Sequence, residues 1–156
     1  ARLIKIFLSR QYSSPQIICP VGLIIKDRRL FLNKRRDIHP AMNNKWEFPG
    51  GGIDNGESID ACLLREVQEE TGFEVEIITP LSKTYTVVGN PGTTDQYQVF
   101  LIPHVCRIVG GELKLAEEES SGHGWFTYEE ALQQDLLDLN RQALLDHRDF
   151  LKQYLD

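Results

Sequence analysis

Long apolar runs are missing from this 156-residue chain. Nothing in it reaches the ~18 successive apolar residues that a membrane-crossing helix needs. The N-terminal stretch Leu3-Ile4-Lys5-Ile6-Phe7-Leu8 is too short and too interrupted for a signal-peptide core. Both absences lead to the expectation of a cytoplasmic protein with no membrane partner. Cysteine is scarce as well: Cys19, Cys62 and Cys106 each sit in or beside an apolar run, and none forms a CxxC pair. Buried, reduced thiols are the expectation, and the pattern speaks against a zinc site. An excess of positive charge is also lacking, since 17 Lys and Arg stand against 23 Asp and Glu for a net charge of −6. That balance disfavours a coat for a nucleic-acid polymer, which needs a basic surface. It leaves room for a small phosphorylated ligand, because a metal ion cancels the repulsion between acidic side chains and phosphates. With no internal repeat, low-complexity tract or long linker, residues 1–156 read as a single domain.

Hydrophobic periodicity supplies the elements. Val21 to Leu32 reads as two apolar strands around the polar turn Lys26-Asp27-Arg28-Arg29, followed by a polar loop from Arg35 to Lys45 and the extended piece Trp46-Glu47-Phe48-Pro49-Gly50-Gly51-Gly52. Residues 58–71 read as a helix. Ser58 is its candidate N-cap, Asp60 suits the positive end of the helix dipole, and Ile59, Leu63 and Val67 mark the expected buried stripe. Gly72 fits the left-handed position just past the helix end. Strands are expected at Glu74 to Ile78, Lys83 to Val88 and Tyr97 to Ile108, with Gly110-Gly111 as a hairpin leading into Leu113-Lys114-Leu115. Thr127-Tyr128-Glu129-Glu130 has capping-box spacing, and helical pattern continues to Leu155 with a break expected near Leu139-Asn140. Strands and helices mix without regular βαβ alternation, so the fold class is α+β, or α/β with a mixed sheet.

Carboxylates are concentrated in one place. Glu66, Glu69 and Glu70 stand at i, i+3 and i+4 and share a helix face. Three like charges on one face destabilise an isolated helix, and a solvated acidic face is the plain reading of such a run. The neighbours favour another. Clustered oxygen donors are what a hard cation, Mg2+ or Mn2+, takes. Arg65 is placed to hold a carboxylate with its forked donors. Glu57, near the helix start, either pairs with Arg65 or joins the metal shell. The preceding glycines let backbone approach a metal or phosphate closely.

Together these residues resemble the Nudix box, whose pattern is met at Gly51, Glu57, Arg65, Glu66, Val67, Glu69, Glu70, Gly72 and Phe73 with no departure. At ~6% per residue type, a chance match at the seven invariant positions in one window is on the order of one in several hundred million. Trp46-Glu47-Phe48-Pro49-Gly50 and the order of elements are also similar to the family. The resemblance implies an α/β/α sandwich, a mixed sheet between helices, and hydrolysis of a nucleoside diphosphate linked to another moiety, with one to three divalent cations. It implies that the Gly50 carbonyl and the carboxylates of Glu66, Glu69 and Glu70 are ligands or near-ligands, and that Arg65 and Glu57 orient them, with Gly51 and Gly72 as structural support. The family also places an acid about six residues before a tryptophan at the metals, and here Glu119 stands six before Trp125. A second family acid three before the tryptophan is replaced by Gly122. Glu66 and Glu119 are therefore both candidates for the general base, and Glu119 also for a ligand.

Substrate choice lies outside the box. Arg35 at the strand end is a candidate phosphate contact, and Trp46, Phe48 and Trp125 are candidate stacking platforms for a base. The Trp-Glu-Phe-Pro-Gly-Gly entry resembles the branch that cleaves nucleoside triphosphates, oxidised dGTP included, to monophosphate and pyrophosphate. ADP-ribose or another nucleotide sugar is the second choice and dinucleoside polyphosphates the third. A nucleotide-sensing domain of the same fold usually has a broken box and an attached DNA-binding domain, and an isomerase normally has a longer chain. Homodimers are frequent in the family, and Leu3 to Leu8 and the Gly89 to Thr94 loop are candidate interface segments. Glu69→Gln is expected to abolish metal-assisted turnover with little loss of folding; normal turnover at saturating Mg2+ contradicts this.

Overall fold

The computed structural model describes residues 14–156, so Leu3 to Leu8 lies outside the described residues. Its strands are β1 (Gln16–Lys26), β2 (Arg29–Arg35), β3 (Trp46–Glu47), β4 (Phe73–Pro80), β5 (Tyr85–Gly89), β6 (Tyr97–Gly111) and β7 (Ser120–Phe126). Its helices are α1 (Ile59–Thr71), α2 (Tyr128–Leu132), α3 (Asp138–Asp146) and α4 (Arg148–Leu155). None of these helices is long and apolar enough to cross a membrane.

The strands form one mixed sheet in the order β3-β2-β1-β6-β4, with β5 also on β6 and β7 also on β2. β1 and β6 run parallel from Gln16↔Gln98 to Ile24↔Cys106, while the other pairs are antiparallel. A strand buried on both faces must be apolar at successive positions, and β1 and β2 are. On β1, Leu23 packs into one core cluster and Ile24 into the other; on β2, Leu30 and Leu32 take the first and Phe31 the second. The first cluster is closed by Leu136, Ala143, Leu144, Leu151 and Leu155 of the C-terminal segment, the second by Leu63 and Val67 of α1. The sheet is thus sandwiched between α1 and the C-terminal helices, as the sequence implied. Fully burying each of these leucines stabilises the fold by roughly 1.5–3 kcal/mol before entropy is counted.

Helix α1 begins and ends where its sequence dictates. The Ser58 hydroxyl accepts from Ala61 N at 3.1 Å, and Gly72 lies at φ +78° with its N–H on Gln68 O at 2.9 Å. Gly72 is doubly required, because a Cβ there would also collide with Glu112 O. The expected stripe needs one correction. Ile59 shares the buried face but stands in the first turn, ahead of the packed length, and is 36% exposed. Cys62, Leu63, Val67, Glu70 and Thr71 are the buried positions.

Two further expectations are overturned. Gly110 and Gly111 do not make a hairpin; they end β6, paired with Glu74 and Phe73 of β4. Leu113-Lys114-Leu115 is not a strand but crosses the end of α1, where Lys114 N donates to Thr71 O at 2.8 Å and Ala116 N to Glu70 O at 3.1 Å. The chain rejoins the sheet later, as β7. The capping box at Thr127 and Glu130 is present. The break expected at Leu139-Asn140 is not, since both lie inside α3 and the interruptions fall between α2 and α3 and at His147. The Asn140 side chain is used in a tertiary contact, accepting from Phe48 N at 2.7 Å, rather than to break its own helix.

Candidate active site

The segment that follows β3 lies across β1. Gly22 N donates to Pro49 O at 2.8 Å, Gly51 N to Pro20 O at 3.3 Å and Ile53 N to Ile18 O at 2.9 Å. With Asn140 holding Phe48 N from the opposite side, the glycine loop is fixed against the sheet. It runs past the carboxylates of α1. A Cβ on Gly51 would occupy the space of the Glu66 carboxyl group, so only glycine allows that approach.

Arg65 organises this cluster. Its Nε and Nη2 donate to the two oxygens of Glu57 at 2.6 and 2.8 Å, a bidentate pair. Its Nη1 donates to Glu66 Oε1 at 2.8 Å and to Glu69 Oε2 at 3.1 Å. Glu57 also accepts from Asp54 N at 3.0 Å. The Arg65 hydrogen bonds, followed by that from Asp54 N, hold the Glu57 carboxyl down at about 2, and the Glu57 and Glu66 carboxylates in turn raise the Arg65 guanidinium further. Pairing with Arg65, one of the two roles open to Glu57 from sequence, is thus present.

Glu70 has different surroundings. It is 9% exposed, and its Oε2 accepts from Gly50 N and from Asn33 Nδ2, each at 3.2 Å. Burial pushes its carboxyl well up, with Glu47 adding to the effect and the Gly50 hydrogen bond opposing it. Burial also raises Glu66, against the lowering effect of Arg65. Glu119, an exposed loop acid, adds negative potential at Glu47, Glu66 and Glu70. Glu69 is the open member, its side chain 60% exposed.

These residues suit a hard divalent cation. The donors are all oxygens, Gly51 leaves room that a Cβ would fill, and the buried Asn33 Oδ1 beside Glu70 has no hydrogen-bond partner. Among the described residues no three His, Cys, Asp or Glu side chains stand together in an arrangement that could hold a metal ion. Arg65 draws Glu66 and Glu69 to itself while Gly50 and Asn33 hold Glu70. Cys19 lies close enough to feel Glu47 and Glu70, but burial pushes its thiol up to about 12. Cys62 and Cys106 rise to about 11 and about 12, also through burial. All three are free and poorly poised to be thiolate ligands.

The four substrate candidates fare differently. Phe48 is 2% exposed and belongs to the core, which removes it as a stacking platform. Trp125 packs edge-on against Phe31 with centroids 5.2 Å apart and tilts over Phe73, so its ring supports the core under α1. Trp46 packs edge-on against Phe126 at 5.2 Å, with the Lys34 ammonium 5.7 Å from its centroid. Arg35 is tied up by two acids, its Nε 2.7 Å from Asp37 Oδ2 and its Nη1 3.1 Å from Glu47 Oε2. The sequence reading missed Asn33 and Glu47, neighbours across β2 and β3 that reach the cluster only through strand pairing.

Comparison with known proteins agrees with this geometry. Residues 20–150 match the NUDIX domain model. The chain is 31% identical over 137 residues to nucleoside triphosphatase NudI of Escherichia coli, covering 82% of this chain and 92% of that protein. It is 28% identical over 148 residues to an ADP-ribose pyrophosphatase of Methanocaldococcus jannaschii, covering 94% of this chain and 76% of that one. Its fold is similar to the crystal structure of a MutT Nudix hydrolase from Burkholderia pseudomallei, with TM-score 0.69 and 25% identity over 85% of this chain and 98% of that one. The chain belongs to the Nudix hydrolase family.

Gly51→Ala tests the close approach of loop and carboxylate. It is expected to displace Glu66 and cut turnover by at least tenfold, about 1.4 kcal/mol of transition-state stabilisation, while far-UV circular dichroism stays that of the parent. Unchanged steady-state kinetics contradict the assignment.

Proposed function

We propose that the chain is a Mg2+- or Mn2+-dependent pyrophosphohydrolase that cleaves a nucleoside triphosphate, an oxidised deoxynucleoside triphosphate included, to monophosphate and pyrophosphate. The observation that carries the chemistry is the complete acidic cluster: Glu57, Glu66 and Glu69 on one guanidinium, with buried Glu70 beside the glycine loop. When bound, a divalent cation neutralises the pyrophosphate, polarises phosphorus and acidifies an attacking water. Glu66, Glu69 and Glu70 are the residues to hold it, with the Gly50 carbonyl and Glu119 as further oxygen donors. Arg65 keeps Glu66 oriented through its 2.8 Å hydrogen bond. Either Glu66 or Glu119 takes the proton that the water loses.

The preference for a triphosphate is supported by the similarity to the nucleoside triphosphatase, which runs over most of both chains. A second reading, cleavage of ADP-ribose or a nucleotide sugar, is favoured by the similarity to the ADP-ribose pyrophosphatase. Dinucleoside polyphosphates remain the third. The substrate is a small nucleotide, and the net charge of −6 disfavours a polymeric one.

Hydrolysis of a panel with Mg2+ and an EDTA control tests the proposal. The panel holds standard and oxidised deoxynucleoside triphosphates, ADP-ribose, NADH and diadenosine polyphosphates. Monophosphate and pyrophosphate released from a triphosphate, and only with metal, is the expected result. Monophosphate and ribose phosphate from ADP-ribose moves the assignment to the second reading, and silence from a metal-binding protein points to a nucleotide sensor. The rate is expected to climb toward alkaline pH. Burial raises the Glu66 and Glu70 carboxyls, and only ionised carboxylates attract the cation, so both shifts move metal uptake toward higher pH. A rate maximum below neutrality requires a different base.

A further inference from the structure

Asn33 is the polar exception in β2. Leu30, Phe31 and Leu32 before it are fully buried and apolar, and Asn33 is buried to the same degree, at 1% exposure. A buried amide without its hydrogen bonds costs stability, and buried polar groups are nearly always paired. Asn33 is only half paired. Its Nδ2 donates to Glu70 Oε2 at 3.2 Å, and its Oδ1 is the one buried side-chain polar atom among the described residues with no partner. Backbone pairing fixes its place, opposite Glu47 of β3 and His123 of β7. Turning the amide over would only set Oδ1 against the Glu70 carboxylate oxygen.

The geometry at Glu70 gives this cost a reason. Gly50 N and Asn33 Nδ2 both donate to Oε2, so one oxygen is clamped from two sides and Oε1 is left as the other donor atom. A loop amide alone would leave the carboxyl free to swing about that contact. The strand amide adds a second anchor from the far side of the chain, 37 residues away in sequence. Residues that orient a ligand in this way matter to a metal site because a carboxylate held in one rotamer loses less entropy on binding.

We propose that Asn33 is a positioning residue for the cation site: it locks the Glu70 carboxylate through Oε2, presents Oε1 as the ligand atom, and keeps its own Oδ1 free to accept from a donor that arrives with the hydrated cation. The inference rests on the metal-dependent reading above and adds a residue outside the acidic motif.

Asn33→Leu removes both amide functions at similar length, and Asn33→Ser shortens the side chain in case the leucine variant fails to fold. Mn2+ binding to each is followed by calorimetry and by electron paramagnetic resonance of the free ion, without substrate. Loss of such an outer partner typically weakens metal affinity by about 10- to 100-fold, and that loss is the expected result, with melting in EDTA still cooperative. A double-mutant cycle with Glu70→Gln separates positioning from general packing. If Asn33 acts through Glu70, the second substitution adds little to the first, whereas independent effects add. Wild-type affinity in a folded Asn33 variant, or additive losses in the cycle, overturns the proposal. No Mn2+ binding by the wild type itself instead overturns the metal-dependent reading on which it rests.

Discussion

One guanidinium holds the site together. Arg65 reaches Glu57, Glu66 and Glu69 within 2.6–3.1 Å, all near the surface of a single helix. Without it, the carboxylates would face one another with their like charges uncompensated. One positive charge does not cancel all of the acids around it, and Glu70 lies buried outside its reach with Glu119 adding negative potential. The cluster is therefore held in place yet remains negative, which is the condition of a site that gains by taking up a cation. That residual charge would be a defect in a purely structural helix.

The rest of the fold supports this arrangement. The glycine loop is tied to β1 by backbone hydrogen bonds and to α3 through Asn140, so Gly50 and Gly51 meet the helix at a fixed height. The core beneath α1, with Leu63 and Val67 on Ile24 and Phe31, sets the distance between helix and sheet. The segment 112–116 closes the far end, capping α1 carbonyls with Lys114 N and Ala116 N before the chain passes Glu119 into β7. Sheet, loop and helix each contribute one side of the site.

Local signals were read well from the sequence because they act over a few residues. Ser58, Gly72 and the Thr127 capping box terminate helices by contacts within their own turn. The i, i+3, i+4 spacing placed the three carboxylates on one face without any tertiary knowledge. What failed was set by distant partners. β7, SSGHGWF, has too much glycine and serine to be recognised as a strand, and it exists because β2 offers a free edge. Phe48 and Trp125 looked like platforms for a base but are partly or wholly core, since an aromatic side chain carries the same letter in either role. Asn33 and Glu47 join the site through strand register, which a single sequence does not display.

The claim that most else depends on is that this acidic cluster is relieved by a divalent cation bound to the folded state. The most direct measurement is the melting temperature of the wild-type protein against Mg2+ concentration at constant ionic strength. Binding to the native state alone stabilises it by RT ln(1 + [L]/Kd), so the account predicts a melting temperature that rises with the logarithm of Mg2+ concentration once this exceeds Kd, and no such rise with K+ or Na+. No shift up to tens of millimolar Mg2+, well above the ~1 mM weak end of protein sites for hard divalent cations, would contradict it.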